Sequence, residues 1–183
     1  MRDFINRTVR DLPPSGIRRF FNLAAEMEDV ISLGVGEPDF LTPWNIREEA
    51  IYTLEKGRTI YTANAGLMEL RREISRYLQR KYHLEYDPAT QILVTVGGSE
   101  AIDLALRSIV EPGDEVLIPE PSFVAYKPCA VMAGGKAVPV PLRGENGFKL
   151  TVEDLEPLVN ERSKVLIFPY PGNPTGATMH EED

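Results

Sequence analysis

Gln91-Ile92-Leu93-Val94-Thr95-Val96-Gly97-Gly98-Ser99-Glu100-Ala101 is an apolar run that ends on two glycines and turns polar at a serine. An unbroken Ile/Leu/Val run suits a strand covered on both faces, as in a parallel sheet. The glycines turn the backbone, and a helix is expected from Ser99 to about Val110. The same rhythm then repeats. Strands are expected over Glu115–Pro119, Lys136–Val140 and Lys164–Phe168, with helices over Ser122–Met132 and Thr151–Asn160 between them. Strands alternating with amphipathic helices imply parallel βαβ units, right-handed crossovers and an α/β fold.

Upstream, the first dozen residues, through Asp11-Leu12-Pro13-Pro14, read as an irregular arm. Ser15 is positioned to cap a helix reaching Met27, with Ile17, Phe20, Phe21 and Ala24 on one face. Val30–Leu33 reads as a short strand and 34–40 as a loop. Thr42-Pro43 opens a helix that places Ile46, Ala50 and Leu54 on one stripe and ends at Gly57. A further helix carries Leu67, Leu70, Ile74, Tyr77 and Leu78 at helical spacing.

The 183 residues carry 20 Lys+Arg against 28 Asp+Glu, a net charge of −8, with 43% hydrophobic residues. That length can bury a core, and the composition excludes collagen-like and disordered classes. The acidic balance argues against a general nucleic-acid or anionic-membrane surface. No stretch approaches the roughly 18 apolar residues of a membrane span. No signal peptide is visible behind Met1-Arg2-Asp3-Phe4. The lone Cys129 fits a reducing compartment, so a soluble, cytoplasmic protein is expected. With only His83 and His180, no zinc site is expected.

Two segments carry chemistry. At Gly97-Gly98-Ser99, amides at a helix start plus a hydroxyl can cradle a phosphate. An ordinary βα turn with Ser99 as N-cap accounts for the same residues, and both readings stay open. The spacing is neither G-x-G-x-x-G nor a Walker loop. Pro169-Tyr170-Pro171-Gly172-Asn173-Pro174-Thr175-Gly176 follows an expected strand, and ligands of open α/β sheets bind at that end. Asn173, restricted by the proline after it, can present an amide to a phenolate or carboxylate; a stiff connector is the plain alternative.

Taken with Gly36-Glu37-Pro38-Asp39-Phe40, Tyr61-Thr62…Ala65-Gly66…Leu70-Arg71 and Pro121-Ser122-Phe123-Val124-Ala125-Tyr126, these two segments make five motifs in order. Together they resemble fold-type I pyridoxal-phosphate enzymes of the class I/II aminotransferase family. The resemblance implies a three-layer αβα sandwich with a mainly parallel sheet. It implies an N-terminal arm and the start of a small-domain region over 1–40, and part of the large cofactor-binding domain over 41–183.

By the same resemblance, Gly98, Ser99 and Glu100 bind the phosphate of pyridoxal 5′-phosphate, Glu100 through its N–H alone. Phe123 stacks on the pyridine ring; many relatives carry tyrosine there, so a hydroxyl hydrogen bond is lost. Asn173 meets the phenolic oxygen, and Gly36 approaches the substrate carboxylate. Tyr61 reaches the phosphate in the other subunit of a homodimer. The implied reaction moves an amino group between an amino acid and a 2-keto acid. A carbon–sulfur β-lyase or related synthase of the same fold is the alternative.

Plain structural roles remain for these residues: core packing for Phe123 and Ile17, surface packing for Tyr61, a turn for Gly36, and a small buried hydrophobe in Cys129. The family's Schiff-base lysine, ring-nitrogen aspartate and carboxylate-binding arginine follow Asn-Pro-Thr-Gly. None of Lys56, Lys81, Lys127, Lys136, Lys149 or Lys164 stands in a matching motif. The 183 residues are therefore expected to be an N-terminal fragment without catalytic residues or activity of its own.

Overall fold

A computed structural model describes residues 4–13, 16, 20, 23, 26, 27, 29, 31 and 38–183. The helix expected from Ser15, the strand expected over Val30–Leu33, and Gly36 lie outside the described residues, wholly or for the most part. The chain divides into two units, Met1–Ser15 with Gly97–Asp183, and Gly16–Val96.

The first unit is built on a parallel sheet. Its strands are β1 (Glu115–Glu120), β2 (Lys136–Pro141) and β3 (Ser163–Leu166), in the order β2-β1-β3. β1 pairs along its whole length with β2, Glu115 opposite Lys136 through Glu120 opposite Pro141. β3 pairs with the first half of β1, with an irregularity between Glu115 and Val116. Because β1 is central, Val116, Leu117, Ile118 and Pro119 are all buried.

Alternate side chains of β1 serve opposite faces. Val116 and Ile118 pack with Leu106 of the helix α4 (Gly98–Ile109), with Val110 just past its end, and with Cys129 and Ala130 of α5 (Tyr126–Met132). Leu117 packs with Val140, Leu150, Leu155 and Leu158 on the other face. There the chain forms the short helix α6 (Val152–Leu155) and a 3₁₀ turn, Glu156–Leu158. The two crossovers run in opposite directions across the sheet and cover opposite faces, as right-handed connections require. This is an α/β fold, as the alternating pattern implied.

Several local expectations need correction. Residues 91–96 are not a strand of this sheet; 92–95 run without regular secondary structure. An apolar run becomes a strand only within a ladder; here the Val94 N–H donates to the carbonyl of Ala65, in the segment before the preceding helix, at 3.1 Å. The helix expected from Ser122 starts at Tyr126. Starting there puts Pro128 in the first turn, where its missing N–H costs nothing; a start at Ser122 would have broken the helix. The helix expected over Thr151–Asn160 stays α-helical only through Leu155. Pro157 cannot donate to the carbonyl of Glu153, so the last turn tightens to 3₁₀. Within the arm expected to be irregular, Arg7–Asp11 forms a five-residue helix (α1), capped by the Asn6 side chain accepting from the Thr8 N–H at 2.8 Å.

The second unit contains α2 (Trp44–Glu55) and α3 (Met68–Tyr82). Both match the helical spacing read from the sequence, and α3 ends on His83 in the left-handed conformation. Among the described residues, no helix is long and apolar enough to cross a membrane.

Candidate functional site

The carboxyl ends of β1 and β3 each feed a proline-containing loop, and the two strands are hydrogen-bonded neighbours. After β3, the turn 172–177 is closed by the Gly172 N–H donating to the Ala177 carbonyl (2.8 Å) and the Gly176 N–H donating to the Gly172 carbonyl (2.7 Å). The Thr175 hydroxyl accepts from the Ala177 N–H at 3.2 Å. A Cβ on Gly172 would lie 2.8 Å from that hydroxyl oxygen. Asn173 sits exposed on this closed turn, so its amide is held at the surface of a stiff loop.

Tyr170 anchors the same loop. Its hydroxyl donates to the Phe148 carbonyl and accepts from the Leu150 N–H, both at 2.9 Å. Burial pushes its phenol above the ordinary range, against the smaller opposing effect of the Leu150 N–H; the group stays protonated and keeps both bonds.

After β1, Phe123 is half-buried and meets Tyr126 edge-on, with ring centroids 5.6 Å apart and planes at 84°. This contact fixes the ring's orientation. Phe123 and Pro174 wall one cavity of about 340 Å³, together with Leu12, Pro13, Glu120 and Lys127 among others. The structure thus brings Phe123 and the Asn-Pro-Thr-Gly loop to one place. Leu12 and Pro13 were not legible as site residues, since an N-terminal arm carries no periodicity that aims it at a sheet edge.

Gly97, not Ser99, occupies the N-cap position of α4, and no side chain caps the helix. Of the two readings left open for Ser99, the plain N-cap does not hold: the residue lies inside the first turn. The first intrahelical bond runs from the Ala101 N–H to the Gly97 carbonyl, so the amides of Gly98 and Ser99 precede the helical ladder. Gly98, Ser99 and Glu100 are exposed, and a Cβ on Gly97 or Gly98 would meet nothing within 4 Å. An exposed amino end of a 12-residue helix, with open space at its glycines, fits a phosphate. A half-buried aromatic ring and an exposed amide fit a flat heteroaromatic ring bearing an oxygen.

Tyr61, in the second unit, is fully exposed (103%). Cys129 is buried, and desolvation raises its thiol pKa, so it packs as a small apolar residue. Among the described residues, no group of three His, Cys, Asp or Glu side chains could hold a metal ion.

Known proteins resemble this chain in sequence and fold. The family model for aminotransferase class I and II matches residues 28–183. A putative aminotransferase YugH of Bacillus subtilis (strain 168) is 52% identical over all 183 residues, which cover 47% of its length. An aspartate aminotransferase of Pyrococcus abyssi is 47% identical over 93% of this chain and 44% of its own. Among solved structures, a double mutant of Thermus thermophilus aspartate aminotransferase superposes with a TM-score of 0.92 at 36% identity, over 100% of this chain and 48% of that one. The aromatic aminotransferase of Pyrococcus horikoshii OT3 gives 0.82 at 43% identity, over 91% and 44%. The chain spans about half the length of the curated relatives it matches. It belongs to the class I and II aminotransferases, enzymes that work with pyridoxal 5′-phosphate.

Proposed function

We propose that the whole protein transfers an amino group between an amino acid and a 2-keto acid, using pyridoxal 5′-phosphate. The observation that carries this reading is the meeting of Phe123 with the Asn-Pro-Thr-Gly loop at the carboxyl ends of neighbouring parallel strands. When bound, the cofactor supplies an electron sink for the substrate carbon that loses its proton.

This chain's residues bind and orient. The amides of Gly98, Ser99 and Glu100 and the Ser99 hydroxyl hold the phosphate, and the dipole of α4 favours its charge. Phe123 lies against the ring, steadied by Tyr126. Asn173 donates its amide N–H to the phenolic oxygen from a turn that is already closed, so little ordering remains for binding. For Gly36, which lies outside the described residues, the role proposed from the family resemblance is binding the substrate carboxylate. Tyr61 reaches the phosphate of the partner subunit in a homodimer, and its full exposure supports that reach. The setting is cytoplasmic, a reading supported by the single, unpaired cysteine.

The test is an assay of the full-length holoenzyme with amino-acid donors and 2-oxoglutarate. Keto acid and new amino acid should form in equal amounts. Release of ammonia or thiol without an acceptor would overturn the reading in favour of lyase chemistry.

A further inference from the structure

The turn that carries Asn173 is closed by its own bonds, but those bonds fix its shape and not its direction. Direction depends on the stem, residues 168–171. The stem begins after the Ile167 N–H, which donates to the Leu117 carbonyl at 3.0 Å, and ends at the turn bond of Gly172. Pro169 and Pro171 have no N–H to give. The Tyr170 N–H donates to the Phe168 carbonyl at 3.2 Å, which stays within the stem. Among the described residues, the hydrogen bonds that tie the stem to the rest of the fold are the two made by the Tyr170 hydroxyl. The segment that receives this hydroxyl is itself fixed. The Gly147 N–H donates to the Gly144 carbonyl (3.1 Å), the Phe148 N–H to the Arg143 carbonyl (2.9 Å), and the Asn146 side-chain amide to the Lys149 carbonyl (3.2 Å).

We propose that Tyr170 is a positioning residue of the reaction: its hydroxyl sets the direction from which Asn173 meets the cofactor's phenolic oxygen. This rests on the transaminase reading above. Tyr170 is not a catalytic residue, because its hydroxyl is engaged by two backbone partners and burial keeps it protonated. A hydrogen bond weakens steeply as it bends away from a straight line. A turn free to swing on its stem therefore offers the phenolic oxygen a weaker donor, whereas a turn held at Tyr170 is already aimed. The competing account is that the turn's own bonds and Thr175 place Asn173 by themselves, with Tyr170 serving stability alone.

The experiment is a pH titration of the full-length holoenzyme, followed by the cofactor's absorbance, for wild type, Tyr170→Phe, Asn173→Ala and the double variant. Tyr170→Phe keeps the ring against the Leu117, Val140 and Leu150 cluster and removes both bonds. Its absorbance midpoint should rise by about half a pH unit, and that of Asn173→Ala by about one. The double variant should match Asn173→Ala, because aim matters only where an amide is present. A purely structural Tyr170 would lower the denaturation midpoint and leave the absorbance midpoint at its wild-type value. That result, or shifts that simply add in the double variant, would overturn the inference while leaving transamination standing. Should Tyr170→Phe not fold, Asn146→Ala carries the test, since it loosens the receiving segment with the phenol in place. Its absorbance midpoint should rise too, and an unmoved one would overturn the inference. An unmoved midpoint in Asn173→Ala would remove Asn173 from the cofactor, and this inference with it. Absence of amino transfer in the wild type would instead overturn the transaminase reading.

Discussion

The Tyr170 hydroxyl accepts a hydrogen bond from the Leu150 N–H at 2.9 Å across 20 residues of sequence, and it donates to the Phe148 carbonyl on the same side. One phenol thus ties the loop after β3 to the segment that precedes α6. Leu150 is itself buried against Leu117 and Val140, so the tether fastens the Asn173 loop to the core. Tyr170→Phe keeps the ring and removes both bonds, leaving a donor and an acceptor without this partner. The expected cost is about 1–3 kcal/mol, read as a lower denaturation midpoint. An unchanged midpoint would mean that water replaces the hydroxyl at no cost.

Gly66 makes a different kind of fit. Its φ of +94° favours glycine, and a Cβ there would lie 2.6 Å from the Val94 Cβ, with the Ala65 carbonyl bonded to the Val94 N–H. Gly66→Ala therefore meets both backbone strain and a rigid β-branched neighbour. A loss of about 1–3 kcal/mol is expected. Val94→Ala on the same background removes the Cγ2 contact at 2.8 Å but keeps the Cβ at 2.6 Å, so most of the loss should persist; full recovery would show that neither the Cβ contact nor the backbone strain matters.

At the amino end of the sheet, the Glu115 carboxylate is nearly buried. It accepts from the Asn160 side chain at 2.8 Å and from Lys136 Nζ at 2.9 Å. These partners, Asn160 first and Lys136 next, hold its pKa below the ordinary value of 4.5. A depressed folded-state pKa gives stability that is present above the unfolded value and lost as pH falls through the folded one. Asp114, paired with Lys164 at 2.8 Å, is lowered in the same direction. Urea midpoints should therefore fall below about pH 4.5. Glu115→Gln should lower the midpoint at neutral pH and flatten that acid limb. A wild-type-to-variant gap that stays constant down to acid pH would show that Glu115 does not contribute through its charge.

What could be read from the sequence was what depends on neighbours along the chain. Val116-Leu117-Ile118 announces a buried strand, and the helix expected to end near Val110 does end there. The turn at Gly97-Gly98 and the Asn-Pro-Thr-Gly loop were visible because their residue types are unusual in any other role. What stayed hidden depends on neighbours in space. Residues 92–95 have strand composition, yet strand structure needs a pairing partner. The weight of Pro128 and Pro157 turned on where each helix starts, since the same residue is harmless in a first turn and disruptive in an interior. Leu12 and Pro13 carry no local signal at all for the cavity they line.

Ser99 now separates two roles that the sequence left entangled. Gly97 holds the cap position and α4 has no side-chain cap, so Ser99→Ala should leave the stability of the cofactor-free protein within about 0.5 kcal/mol. If the hydroxyl donates to a charged phosphate oxygen, cofactor affinity of the full-length protein should still fall by about 1–3 kcal/mol. Titration of the cofactor into each variant, beside their melting curves, gives both numbers. Unaltered affinity would leave only the backbone amides on the phosphate.

Asn173 gives the most direct spectroscopic test. Its side chain is exposed on a turn closed by backbone bonds and by Thr175, so Asn173→Ala should disturb the fold little. An N–H donated to a phenolic oxygen favours the ionised form of that oxygen. Removing the donor should make the proton harder to lose, and the cofactor's absorbance change should move to higher pH. The measurement is a pH titration of the full-length holoenzyme by absorbance, wild type against variant. An unchanged spectrum and midpoint would remove Asn173 from the cofactor's surroundings, whatever the catalytic rate.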